Sequence, residues 1–308
     1  MGCTSQPKGI LLLSFGGPDS LAAVEPFMTS IMGGRKPPAP LVVRMVERYR
    51  LIGGKSPLPE VMRQQAQLIE QELNTERQTY RCYVGTLHWH PLIKDTLVNM
   101  VQDGVSEAVA LSLSPYVAGV TNGAYTEAIE SARAELDLPL KFTFPGSWYD
   151  HPLLIEALAD NLSAALERFD PVSRSAVEII FSAHSLPQAH IAGGDPYLTQ
   201  LEGSIAALVA KTGLKNWQLA FQSKGGGHGE WLGPEVEAVM DKLAAQGKKD
   251  VLVVPIGFTT DHIETLYDID VAQKNHAAAL GLNFQRAAAL NTSAKFIHVL
   301  SDVALNAF

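Results

Sequence analysis

Short apolar, β-branched runs alternate along the chain with stretches in which apolar residues recur every three or four positions. The runs predict strands at 9–14, 80–85, 107–113, 140–145, 176–182, 217–222, 250–257 and 282–287. Between 58 and 75, Met62, Ala66, Ile69 and Leu73 mark one face of an amphipathic helix; between 152 and 169, Leu154, Leu158, Leu162, Ala165 and Phe169 do the same. Pro152 and Pro234 suit first-turn positions, and Gly104 and Gly247 suit helix ends. Regular alternation of strand and helix predicts parallel βαβ construction, an α/β fold of doubly wound sheets.

The eight strands fall into two sets of four with a weak internal likeness: Ile10 to Pro18 and Ile179 to Pro187 each end a strand in Ser, a small-residue turn and Pro. Duplicated halves are expected, 8–148 and 149–290, the second carrying the His and Glu motifs below. A final helix near 293–306, within a segment 291–308, is expected to pack back on either half. No long linker interrupts the chain, so the halves are expected to pack closely, with a cleft between them.

Composition then removes whole classes. The chain has 308 residues, 46% hydrophobic and 18% charged, which places it among soluble globular proteins and rules out disordered or coiled-coil readings. Cys3 and Cys82 cannot make a disulfide framework, which favours a reducing, cytoplasmic compartment. Met1 to Gln6 lacks the features of a signal peptide, and the longest apolar runs are strand-length, so no transmembrane segment is expected. A net charge of −8 argues against nucleic acid as a partner. Arg35, Lys36, Arg44, Arg48, Arg50 and Lys55 nevertheless stand against Glu47 alone, so this segment is locally +5. It reads either as a solvated helix face or as a site for an anionic ligand.

In open parallel sheets ligands bind beyond the carboxyl ends of the strands. Those positions carry Ser14 to Pro18, Thr86 to His90, Ser112 to Tyr116, Ser182 to Pro187, Gln222 to Gly225 and Phe258 to Glu264. Gly16-Gly17 and the run Gly225 to Gly229 complete neither a dinucleotide fingerprint nor a P-loop, and no G-x-S-x-G elbow appears. Metal chemistry fits better. His184 leaves a buried strand, and Asp261, Glu264 and Asp268, spaced three and four apart, would share one face of a helix opening at Asp261. The competing reading makes Asp261 an N-cap and Glu264 its capping-box partner. His184 reads equally as a ligand or a structural hydrogen-bonder, His88 and His90 read as period-two strand residues, and Phe15, Tyr116, Trp231 and Phe258 taken singly read as core.

Phe181-Ser-Ala-His-Ser-Leu-Pro187, Gly194-Asp-Pro-Tyr197, Phe221-Gln-Ser-Lys224, Trp231-Leu-Gly-Pro234 and Val254 to Asp270 resemble the ferrochelatase family. So do Leu13 to Asp19, Tyr49 to Leu58 and Asp103-Gly104, and the resemblance covers nearly the whole chain. It implies two Rossmann-like halves with a porphyrin between them and insertion of ferrous iron as substrate. His184 matches the family's histidine at the porphyrin centre and Glu264 its partner carboxylate. The catalytic residues expected are His184, Glu264 and Asp261, the last orienting Glu264; the metal-contacting ones are His184, Glu264 and Asp268. Substrate contacts are expected from Phe15, Arg35, Lys36, Tyr49, Lys55, Ser56, His88, Ser114, Tyr116, Lys224 and Phe258.

The short basic route from Gly34 to Gly53 resembles the soluble coproporphyrin enzymes, and four propionates suit a +5 segment better than the two of protoporphyrin IX do. Two positions depart from the pattern. Phe15 stands where those enzymes commonly place Tyr, which removes a phenolate iron ligand, and Ala272 interrupts the family's acidic ladder beyond Asp268. No cysteine follows Cys82, so no iron-sulfur cluster and no prosthetic group are expected, and a monomer is anticipated. A porphyrin carrier without turnover is the alternative from a different class. It would have no use for Glu264 and Asp268.

Overall fold

The computed structural model describes residues 6–74, 78–226 and 229–308. Cys3, the opening Met1 to Ser5 and the Gly227-His228 pair of the glycine run lie outside the described residues. Each predicted apolar run forms a strand: β1 (Lys8–Ser14), β2 (Tyr80–Thr86), β3 (Glu107–Ser112), β4 (Lys141–Thr143), β5 (Glu178–His184), β6 (Trp217–Gln222), β7 (Asp250–Val254) and β8 (Asn283–Arg286). They make two four-stranded sheets, ordered β2-β1-β3-β4 and β6-β5-β7-β8, with every pairing parallel. The second order is the first repeated four strands later, so the internal likeness in the sequence is a repeated topology.

Parallel strands need helical crossovers, which cover both faces of the sheet and explain why the central strands read as unbroken apolar runs. Ile10, Leu11, Leu12 and Leu13 of β1 are buried, as are Ile179, Ile180 and Phe181 of β5. One compact unit runs to Trp148 and includes Asn291–Phe308; the other is Tyr149–Leu290. In the first, Leu11 and Leu13 pack with Ile93, Leu97, Met100 and Ile129. In the second, Ile180, Val251 and Val253 pack with Val239, Met240, Leu243 and Ile269.

The terminal helix Ala294–Asn306 belongs to the first unit, where Phe296 lies 6.1 Å from Trp148 and the Gln65 amide donates to the Asn291 carbonyl at 2.7 Å. The amphipathic stretches form helices Leu58–Leu73 and Pro152–Leu166. Gly104 and Gly247 follow helices at φ of +81° and +75°, backbone that glycine adopts without a Cβ penalty. Pro234 is not in a first turn. The helix begins at Val236, and the Pro234 carbonyl instead accepts from Phe221 N–H at 2.8 Å, finishing the edge of β6. His88 and His90 are not strand residues either, because β2 stops at Thr86, whose N–H turns to the Pro91 carbonyl at 2.9 Å.

The basic segment contributes helix Ala39–Leu51, which carries Arg44, Arg48 and Arg50 together with Val43 and Leu51, 68% and 55% exposed. Among the described residues no helix is long and apolar enough to cross a membrane.

In each sheet the strand order reverses between its second and third members, β1/β3 and β5/β7, and that switch point is where a crevice opens at the carboxyl ends. The chain leaving β7 crosses the end of β5, with Gly257 N–H donating to the Ser182 carbonyl at 3.1 Å. A Cβ on Gly257 would lie 2.7 Å from Ala183 Cα. Gly257→Ala is therefore expected to force the two strand ends apart and lower stability by about 1–3 kcal/mol, measurable by urea unfolding. Turnover should fall in the variant that still folds, because the next residue of β5 is His184.

Candidate active site

At the β5/β7 switch point, β5 delivers His184 and the loop after β7 leads into a π-helix, Glu264–Gln273. Glu264 Oε2 lies 3.0 Å from His184 Nδ1 and 3.9 Å from His262 Nε2. A carboxylate only accepts, so Nδ1 carries the proton and Nε2 is the nitrogen left to bind a proton or metal. Tyr197, from the Gly194 to Tyr197 motif, donates its hydroxyl to the His184 carbonyl at 3.0 Å and fixes the strand end. The two side chains remain 37% and 27% exposed, half-buried and reachable.

The pair is electrostatically coupled. Burial works against the His184 imidazolium, but the Glu264 carboxylate and, beyond it, Asp268 raise its pKa above the ordinary 6.5. Burial likewise works to raise Glu264, yet His184, with help from His262 and Ser223, brings it down to about 2. The carboxylate thus favours the imidazolium form of His184 more than solvent would.

Asp268 accepts from Ser223 Oγ at 2.6 Å. Ser223 holds φ +58°, the left-handed region that non-glycine residues seldom occupy, and this conformation at the end of β6 turns its hydroxyl toward the acids. Below it, Gln222 donates Nε2–H to the Glu264 carbonyl at 2.7 Å and accepts from Ser182 Oγ and, at 3.3 Å, from Gln273 Nε2. A buried amide network therefore ties β5 and β6 to both ends of the π-helix. Among the described residues no group of three or more His, Cys, Asp or Glu side chains is arranged to hold a metal ion, so His184, Glu264 and Asp268 do not form a closed three-ligand cage.

Asp261 is placed differently from expectation. The helix opens after Ile263, whose capping position has no side-chain hydrogen bond, so the Asp261/Glu264 capping box does not form, and the shared helical face of three carboxylates is absent because Asp261 precedes the helix. Asp261 instead accepts from Thr265 Oγ1 at 2.9 Å and from Arg286 at 3.0 Å. Arg286 was hidden in the sequence within an edge strand, and Gln222 and Ser223 had only their strand-end position to mark them.

In the first unit, Phe15 follows β1 and is 41% exposed, edge-on to His88 at 4.4 Å and to Phe27 at 6.3 Å. His88 Nδ1 is 3.1 Å from Ser30 Oγ, and burial lowers its pKa, which keeps it neutral. Ser114 exchanges hydrogen bonds with the Tyr116 backbone, and Ser56, buried, accepts from Leu58 N–H at 3.3 Å. Tyr49 and Tyr116 are 2% and 1% exposed, with packing burying both side chains. Arg35, Lys36 and Lys55 are exposed, Lys36 reaching Glu25 at 3.3 Å. In the second unit Lys224 pairs with Glu235, and Phe258 is nearly buried, 5.2 Å from the His262 ring.

The fold of two parallel sheets with flanking helices is similar to that of solved chelatase structures. SirB from Bacillus subtilis, solved with Fe3+, superposes with a TM-score of 0.60 at 11% identity, covering 97% of this chain and 96% of that one. DR2241 from Deinococcus radiodurans, a multi-domain protein with structural similarity to chelatases, gives 0.54 at 12% identity, covering 97% of this chain and 55% of its own. At such identities the likeness concerns the fold. Sequence carries it further, since the ferrochelatase family model matches residues 7–307. The chain is 36% identical over 300 residues to the ferrochelatase of Herpetosiphon aurantiacus (97% of this chain, 98% of that protein) and 39% identical over 315 residues to that of Geotalea uraniireducens (97% of each). It belongs to the ferrochelatase family and is a porphyrin metal chelatase.

A titration tests the coupling directly. In the metal-free protein His184 is expected to lose its proton above pH 6.5, and in Glu264→Gln, where burial persists without the carboxylate, at lower pH than in the wild type. Nitrogen-resolved NMR of the imidazole reads both. By the same linkage the raised His184 value stabilises the fold fully below 6.5 and the depressed Glu264 value fully above 4.5, so the pair contributes most between those limits.

Proposed function

We propose that this chain inserts Fe2+ into coproporphyrin III to give coprohaem in haem biosynthesis, as a cytoplasmic monomer without prosthetic group or iron-sulfur cluster. The observation that carries the chemistry is the half-buried His184/Glu264 pair at the β5/β7 switch point, 3.0 Å apart. Each turnover brings in one divalent ion and removes two pyrrole N–H protons. His184, held by Glu264 with Nε2 free, accepts a proton once neutral, and its raised pKa keeps it basic enough to do so near neutral pH. Glu264 is the anionic partner that faces the incoming ion, and Asp268, beside Ser223, is an outer acidic stop for it. Bending the macrocycle exposes nitrogen lone pairs out of plane, a distortion sustained by contacts remote from the metal centre.

For the ring, the supporting feature is the exposed basic segment, where Arg35, Lys36 and Lys55 meet carboxylates better with four propionates than with two. Protoporphyrin IX is the second reading, favoured by the exposed Val43 and Leu51 on the same segment, which suit a more apolar ring.

His184→Ala is expected to fold, bind porphyrin within about threefold of wild type and lose about 10²–10⁴ in kcat, measured by continuous absorbance. Near-normal turnover would remove His184 from the mechanism. Glu264→Gln should lose activity while still folding, with a lower melting temperature because the stabilisation that the carboxylate gives above pH 4.5 is gone. Replacing Arg35, Lys36 and Lys55 together by Gln should raise KM for coproporphyrin III at least fivefold more than KM for protoporphyrin IX, with added salt reproducing part of the effect on the wild type. Equal changes for the two rings would favour protoporphyrin IX.

A further inference from the structure

A π-helix closes i→i+5 hydrogen bonds and occurs mostly as a single-turn bulge inside an α-helix. Here it runs for ten residues, Glu264–Gln273, with the acids of the site on it. Contacts from outside the helix must hold that backbone, and beside Gln222 one set comes from Arg286, the last residue of β8. Its Nε and Nη2 donate to the two carboxylate oxygens of Asp270 at 2.7 and 2.8 Å, and Nη1 donates to Asp261 at 3.0 Å. Only 13% of the side chain is exposed. One planar guanidinium therefore bridges the chain ahead of the π-helix and its seventh residue, and Glu264 and Asp268 lie on the stretch between these two points.

The placement is fixed from the sheet as well. Arg286 is in register with Val253 of β7, and Ala287 N–H donates to the Val253 carbonyl at 2.9 Å, so the guanidinium is anchored to the strand whose exit loop leads to the site. Thr265 and Ile269, fully buried, seat the same helix from within. Rotation of this segment would carry Glu264 away from His184, and displacement of a reacting group by about 1 Å costs on the order of 10²-fold in rate.

We infer that Arg286 is a positioning residue for metal insertion: by gripping Asp261 and Asp270 it holds the π-helix in the setting that keeps Glu264 against His184. In this role it acts through the helix, by its contacts with Asp261 and Asp270. The inference rests on the reading of His184 and Glu264 as the catalytic pair. It assigns Asp261 to the clamp, and a lysine cannot replace the fork, since its single ammonium lacks the planar bidentate geometry.

Arg286→Lys keeps the charge and tests the geometry. The expected result is a 10- to 100-fold lower kcat, KM for porphyrin within about twofold, and a shifted Nδ1–H proton resonance of His184 in the metal-free protein, a signature that a loss of stability alone does not move. A folded Arg286→Lys with kcat within twofold of wild type and an unchanged resonance overturns the inference. If that variant does not fold, Asp270→Asn decides, because it leaves the Asp261 contact in place: a three- to tenfold loss in kcat with the same resonance shift supports the clamp, and neither change overturns it. His184→Ala is measured alongside. Loss of its turnover while Arg286→Lys stays active defeats the clamp alone; full turnover of His184→Ala defeats the catalytic reading and the inference with it.

Discussion

Parallel pairing of β5 with both β6 and β7 sends three strand ends to the same edge of one sheet, and the chemistry of the second unit depends on that convergence. His184 comes from the first of these ends, Gln222 and Ser223 from the second, and the loop to Glu264 from the third. Backbone hydrogen bonding in the ladder fixes the three to within a fraction of a residue, because a parallel register admits no gradual slip. Gly257 completes the arrangement, letting the β7 exit cross the β5 end where any side chain would collide with Ala183.

The same topology serves two different ends in the two units. In the first, the exits of β1 and β2 present an aromatic group, Phe15 with Phe27, His88 and Trp89, and its histidine is kept neutral by burial. The corresponding exits of the second unit present ionisable groups, and its histidine is pushed toward the charged form by adjacent carboxylates. One architecture thus places aromatic side chains at one set of strand ends and ionisable ones at the other.

Half-burying a charged pair is costly unless each charge finds a partner and its remaining lone pairs are satisfied. The His184/Glu264 pair meets the first part of this condition by direct contact at 3.0 Å, and its backbone is held at one remove by Tyr197 on the His184 carbonyl and Gln222 on the Glu264 carbonyl, with Ser223 on the neighbouring Asp268. The outlying acids Asp261 and Asp270 share Arg286, which offsets one of their two charges and holds both away from the pair.

By itself the sequence determined the eight strands, their order along the chain, the two-fold repetition and the prominence of His184 and Glu264, because apolar runs, helical periodicity and strand-end position are all local properties of the chain. It also carried the family, through motifs spread along almost its full length. What it left undecided depends on partners distant in sequence. Asp261 and Glu264 match a capping box on spacing alone, and only the arrival of Arg286 from β8, 25 residues on, withdraws Asp261 from that role. Tyr49 and Tyr116 sit in motifs beside polar residues, yet packing turns both rings inward. The π-helix has no signature in periodicity, since its extra residue per turn is sustained by contacts from β6 and β8 and not by the propensity of Glu264–Gln273 itself. Local pattern determined which residues stand at the strand ends; tertiary packing decided which of them face one another, because a side chain's partner is set by the sheet order and not by its neighbours in the chain.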